Sequence, residues 1–76
     1  MMSKYVDKEF IYNLNKFIKI KGKTKTQVAK DLKISRTMLN FYLSGKNQPT
    51  PKTMSKMCKY FGVTRADFYK GENYVP

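Results

Sequence analysis

Two short helical patterns, TKTQVAKDL and SRTMLNFYLSG, stand only two residues apart, and this spacing limits the possible folds more than any other feature of the chain. Thr24-Lys25-Thr26-Gln27 has the form of a capping box, in which a threonine oxygen and a glutamine side chain satisfy otherwise orphaned amides. Val28, Ala29 and Leu32 then recur at the spacing of a buried helix face. Lys33 and Ile34 alone separate this helix from Ser35, a favourable cap for the next, which ends at Gly45. So short a connection forces a tight turn between the two helices. Ala29 is small where crossing backbones approach closely, and Ile34 and Leu39 plug the junction.

The flanking sequence supplies the rest of a helical domain. Asp7 caps a first helix carrying Phe10, Ile11, Leu14, Phe17 and Ile18, with Val6 and Ile11 placed for a hydrophobic staple and Gly22 as the stop. Thr50-Pro51 starts a fourth helix with Met54, Met57, Cys58 and Phe61 on its apolar stripe and Gly62 at its end. Thr64-Arg65-Ala66-Asp67 reads as one more capped start, with Phe68 or Tyr69 packing back. No strand-period segment, repeat or linker interrupts the pattern. The expectation is a compact all-α domain of five helices over about 7–21, 24–32, 35–44, 51–61 and 65–70, with 1–76 as a single domain and 71–76 as a flexible or partner-bound tail.

Composition narrows the chemistry. The lone Cys58 excludes an internal disulfide framework, and the absence of histidine removes imidazole catalysis and ligation. The acids Asp7, Glu9, Asp31, Asp67 and Glu72 are scattered, so no acid–base pair, metal site, cofactor or enzymatic activity is expected. No apolar run suits a membrane span or signal, and a reduced, cytoplasmic, nucleoid-associated protein without a small-molecule ligand is expected. Sixteen Lys and Arg against five Asp and Glu give +11, an excess usually matched by a polyanion. From Lys16 to Lys59 the only acid is Asp31.

On the third helix, Leu39, Tyr42 and Leu43 fall on one side and Arg36, Thr37, Asn40, Phe41 and Ser44 on the other. A major groove admits one helix, and its base edges offer partners for the second set. Arg36 suits guanine, Thr37 a hydrogen bond or a methyl group, Asn40 adenine or a phosphate, and Phe41 thymine methyls or sugars. A solvated helix face is the plain alternative for Arg36 and Asn40, and packing against a loop or a second subunit for Phe41. Phosphate contacts fall to flanking positions: Lys25, Thr26 and Ser35 at helix starts, and Lys46, Asn47 and Gln48 after the third helix. Lys52 and Lys56 lie further out.

The run of Thr24, Val28, Ala29, Leu32, Ile34, Ser35, Leu39, Gly45, Lys46, Pro49, Met54, Met57, Gly62 and Val63 resembles the lambda-repressor and Cro-like helix-turn-helix family. With Phe10, Leu14, Phe17 and Gly22 the resemblance covers nearly the whole chain. It implies a sequence-specific regulator that binds double-stranded DNA, a repressor of phage or mobile-element type occupying a palindromic operator. A homodimer would either pair through the fifth helix and tail, using Phe68, Tyr69, Tyr74 and Val75, or form only on DNA. Five positions depart from the family pattern: Lys25 replaces a usual Gln, Lys33 a usual Gly, Lys23 an apolar residue, and Phe41 and Leu43 polar ones. The last pair opens an alternative, a protein-interaction module that grips another protein through an apolar patch around Phe41 and Leu43.

Overall fold

The computed structural model describes residues 8–70, among which there are four α-helices, one 3-10 turn and no strand. α1 spans Lys8–Lys21, α2 Lys25–Leu32, α3 Arg36–Ser44 and α4 Pro51–Phe61, and the 3-10 turn is Ala66–Tyr69. The expected caps of α2, α3 and α4 all form. Thr24 Oγ1 accepts from the Gln27 amide at 3.1 Å while Gln27 Oε1 accepts from the Thr24 amide at 3.0 Å. Ser35 Oγ accepts from the Met38 amide at 2.9 Å, and Thr50 Oγ1 from the Thr53 amide at 3.3 Å. The Asp7 cap and the Val6 half of the staple lie outside the described residues.

The core gathers one face of each helix. Phe10, Leu14 and Ile18 of α1 meet Val28, Ala29 and Leu32 of α2, Leu39 and Tyr42 of α3, and Met54 and Met57 of α4. Gly45 ends α3 in the left-handed region at φ +81°, and a β-carbon there would stand 3.1 Å from Ile11 Cδ1. Its missing side chain therefore serves both the helix stop and the approach of α3 to α1.

The fifth helix expected over 65–70 is instead a single 3-10 turn. The Asp67 and Phe68 amides donate to the Thr64 and Arg65 carbonyls, each at 3.1 Å, and Lys70 leaves the turn in extended conformation. Two sets of bonds anchor it. Thr64 and Asp67 close on each other, the Thr64 amide donating to Asp67 Oδ2 at 2.9 Å and the Asp67 amide to Thr64 Oγ1 at 3.3 Å. The bond from the Thr64 amide, and then that from Lys70, lower the Asp67 carboxyl to about 2. From the other side, Asn13 Nδ2 donates to the Phe68 carbonyl at 2.9 Å and the Lys70 carbonyl at 2.7 Å. These two bonds tie the end of the turn to α1.

Asn13 is the buried polar residue among the described positions, 1% exposed, and sequence reading passed over it. Its signal is an amide on the stripe of Phe10, Leu14 and Phe17, where an unpartnered polar group would be costly. Phe68 is fully buried and stacks on Phe10 with ring centroids 5.4 Å apart. It is core, as its packing back on the domain anticipated, and this removes it from the alternative dimer surface. Tyr69 is half-buried beside Phe10, while Tyr74 and Val75 lie outside the described residues.

Lys23, where the family pattern has an apolar residue, makes a polar joint. Its Nζ lies 2.8 Å from Asp31 Oδ2, and the Tyr60 hydroxyl donates to the same oxygen at 2.7 Å. Lys21 Nζ donates to the Tyr60 carbonyl at 3.1 Å and stands 4.5 Å from the ring centroid. The end of α1, α2 and α4 therefore meet around one carboxylate. The Lys23 hydrogen bond and then that of Tyr60 hold Asp31 below the usual carboxylate range, and burial followed by Asp31 pushes the Tyr60 phenol up.

Lys33 keeps the left-handed conformation of the family turn, at φ 61° and ψ 40°, without being glycine. That conformation costs an L-residue about 1–2 kcal/mol. A glycine would remove the cost but would gain roughly 0.5–1 kcal/mol of unfolded-chain entropy. Lys33→Gly is therefore expected to stabilise the fold by about 0.5–1 kcal/mol, which thermal denaturation would register as a rise of a few degrees in Tm. A lowered Tm would show that the turn is not strained.

Candidate nucleic-acid interface

α3 divides as its sequence spacing predicts. Leu39 and Tyr42 are buried, Met38 and Leu43 are half-buried against the core, and Arg36, Thr37, Asn40 and Ser44 are exposed. Because Ser35 caps the helix and the short turn fixes α3 across α2, the exposed side chains form a polar ridge directed away from the core. Phe41 is the exception on that side, being half-buried.

Arg36 joins the ridge to α2. Its Nη1 donates to Thr26 Oγ1 at 2.5 Å and its Nε to Asn40 Oδ1 at 3.4 Å, a longer and weaker bond. Thr26, Arg36 and Asn40, expected separately at phosphate and base positions, are therefore brought together in one cluster. A guanidinium has five N–H donors, and these two bonds leave three for another partner. Lys25, the residue that replaces the family's Gln, is exposed beside Thr26 at the start of α2. The bridge from α2 to α3 is thus made by Thr26 and Arg36. Ten residues and a turn separate them, and no spacing rule within a helix would have paired them.

At the far end of α3 the chain doubles back over the Phe41 carbonyl, which accepts from the Lys46 amide at 2.9 Å, the Asn47 amide at 3.4 Å and Ser44 Oγ at 3.2 Å. Lys46 is exposed, with its Nζ 5.7 Å from the centroid of the Phe41 ring. Asn47 is exposed as well, but its Nδ2 turns back to Met38 Sδ at 3.7 Å. Gln48 is exposed. The Lys46–Gln48 loop and the Lys25–Thr26 corner thus lie at opposite ends of α3, separated by a helix of roughly 13 Å at 1.5 Å per residue. Ser35 Oγ is an acceptor in its cap, which leaves its hydroxyl proton to donate elsewhere.

The charge of this part of the chain is one-sided. From Leu32 to Ala66 it has no Asp or Glu, and on the α3 surface Arg36 and Lys46 are cationic without a carboxylate among their neighbours in sequence. Asp31 is bound up with Lys23, and Asp67 with Lys70. Burial pushes the Cys58 thiol up, away from the reactive thiolate, and no cluster of described residues suits a metal ion. Among the described residues no helix is long and apolar enough to cross a membrane.

Comparison with known proteins agrees with this geometry. A search of curated protein sequences found no match. Among solved structures, the solution structure of the SOS-response transcriptional repressor LexA from Eubacterium rectale is similar, with a TM-score of 0.81 and 21% identity over 97% of this chain and 81% of that one. The crystal structure of a hypothetical transcription factor from Neisseria has a TM-score of 0.77 and 17% identity, covering 95% of this chain and 88% of the other. At such identities these likenesses speak for the fold. The profile of the helix-turn-helix family matches residues 14–68, a span that contains the whole of α2, the turn, α3 and α4. The chain belongs to the helix-turn-helix family of the Cro/C1 type, a family of DNA-binding transcription regulators.

Proposed function

We propose that this protein is a sequence-specific double-stranded DNA-binding repressor of phage or mobile-element type, which occupies its operator by laying α3 in the major groove. The observation that carries this reading is the exposed ridge of Arg36, Thr37 and Asn40, with Arg36 already braced by Thr26 and Asn40. A long cation held near its binding geometry loses less rotamer freedom on docking. Arg36 reads guanine, Thr37 and Asn40 neighbouring bases, and Phe41 a thymine methyl or sugar at the edge of the contact. Lys25, Thr26 and Ser35 hold phosphates at one end of α3, and Lys46, Asn47 and Gln48 at the other. Since the Asn47 side chain is drawn toward Met38, its contribution requires a small rotation. One such domain covers one half-site, and two copies on a palindrome, about one DNA turn apart, would give the affinity an operator needs.

The alternative apolar docking patch is weakened, because half-buried Leu43 turns part of its side chain to the core. Phe41 alone is a small target. Selection of bound duplexes from a random pool separates the two readings. The repressor reading expects one enriched motif with two-fold related halves, and recovery of unenriched sequence after several rounds would sink it.

A further inference from the structure

A groove of about 290 Å³ lies between the end of α2 and the second half of α4, lined by Asp31, Leu32, Lys33, Lys56, Lys59 and Tyr60. It is separate from the reading surface. Lys33 stands eight residues along from Lys25, about 12 Å at the helical rise, so the groove and the phosphate corner occupy opposite ends of α2.

The electrostatics of the groove are unbalanced. Its one acid, Asp31, is engaged by Lys23 at 2.8 Å and by the Tyr60 hydroxyl at 2.7 Å. Lys33, Lys56 and Lys59 form no ion pair with any described residue. Three cations therefore rim a mostly apolar lining that includes Leu32 and the Tyr60 ring. One of them is Lys33, whose left-handed backbone is the sole positive φ outside glycine among the described residues. Strain of this kind tends to persist where a side chain is needed, and here it keeps a cation on the rim.

Size and charge select the occupant. Pockets that enclose a drug-sized ligand start at roughly 300 Å³, so this open groove has room for one large apolar side chain and little more. A DNA backbone supplies negative charge but no apolar knob, and a second copy of a +11 chain brings like charge. We infer that the α2–α4 groove docks an acidic segment of another protein, which seats one leucine or phenylalanine between Leu32 and Tyr60 while its carboxylates meet Lys33, Lys56 and Lys59. This site leaves the reading helix free, so a regulator on DNA can hold its partner at the same time.

The test uses the full chain and a fluorescein-labelled peptide with glutamates on both sides of a central Leu-Phe pair, followed by fluorescence anisotropy. Three results are expected. The peptide binds the protein alone and the protein saturated with an unlabelled duplex equally well. Replacing its Leu-Phe pair by alanines weakens binding about tenfold, the scale of an anchor side chain. The double variant Lys33→Gly/Lys59→Gln, whose first change relieves strain, weakens peptide binding about tenfold and leaves duplex binding within about twofold. Displacement of the peptide by duplex, or indifference to the alanine peptide or to the double variant, would each overturn the docking site and show a polyanion held by charge alone. Failure of the protein to bind any duplex would count against the repressor reading and leave this groove untouched.

Discussion

Phe68→Ala is expected to cost the fold more than any other single truncation argued for this protein, although the residue lies far along the sequence from the turn and the reading helix. Phe68 is fully buried and packs with Phe10 at 5.4 Å, Phe17 at 5.1 Å and Phe61 at 6.3 Å between ring centroids. It is the central ring of the cluster that ties α1 and α4 to the C-terminal turn. Truncating a buried phenylalanine costs roughly 3–5 kcal/mol, from lost transfer energy and the cavity left behind. At 0.05–0.15 kcal/mol per residue, a domain of 76 residues has roughly 4–11 kcal/mol in all. The substitution would therefore remove about a quarter or more of the stability, and where the total lies at the low end it would unfold the chain. Phe68→Leu keeps most of the volume and should cost about 1.5 kcal/mol or less. Urea denaturation followed by circular dichroism measures both. If Phe68→Ala lost less than about 1 kcal/mol, the C-terminal turn would not be part of the core.

What the sequence made legible was what depends on near neighbours. The caps at Thr24, Ser35 and Thr50 each join a side chain to an amide three residues on, and each formed as expected. The division of α3 into Leu39 and Tyr42 inside and Arg36, Thr37 and Asn40 outside follows from helical period alone. The last turn was less legible, because its end is anchored by Asn13, 55 residues away from the Phe68 carbonyl that it binds. A capped start at Thr64 looks the same whether or not a distant amide takes the carbonyls behind it. Phe68 was read both as packing back and as part of a dimer surface, because its aromatic ring suits either, and only the space between α1 and α4 decides for the core. The family pattern pointed to a left-handed residue at Lys33, but it gave no hint that Lys23, Asp31 and Tyr60 would form a polar joint.

The largest functional effect expected is that of salt. If Lys25, Arg36, Lys46 and their neighbours neutralise roughly four to eight phosphates, log K against log salt should fall with a slope of about −4 to −7. Raising salt fourfold, from about 50 to 200 mM, then weakens duplex binding by roughly 10² to 10⁴. Two variants divide that effect between position and sequence. Lys46→Ala removes one phosphate contact, so it should weaken every duplex alike and make the slope shallower by about 1. Arg36→Ala should cost about 1–3 kcal/mol on the preferred duplex and less on others, because a guanidinium that forks onto a base discriminates while one on a phosphate does not. Arg36 also braces Thr26 against α3, so Arg36→Lys is the sharper control: it keeps the charge, and with it nearly all of the slope, but loses the fork. Anisotropy titrations across the salt series on the selected and a scrambled duplex supply all of these numbers. A flat slope would remove phosphate from the binding surface. A steep slope with Arg36→Lys equal to the parent on both duplexes would move sequence reading from Arg36 to Thr37, Asn40 and Phe41.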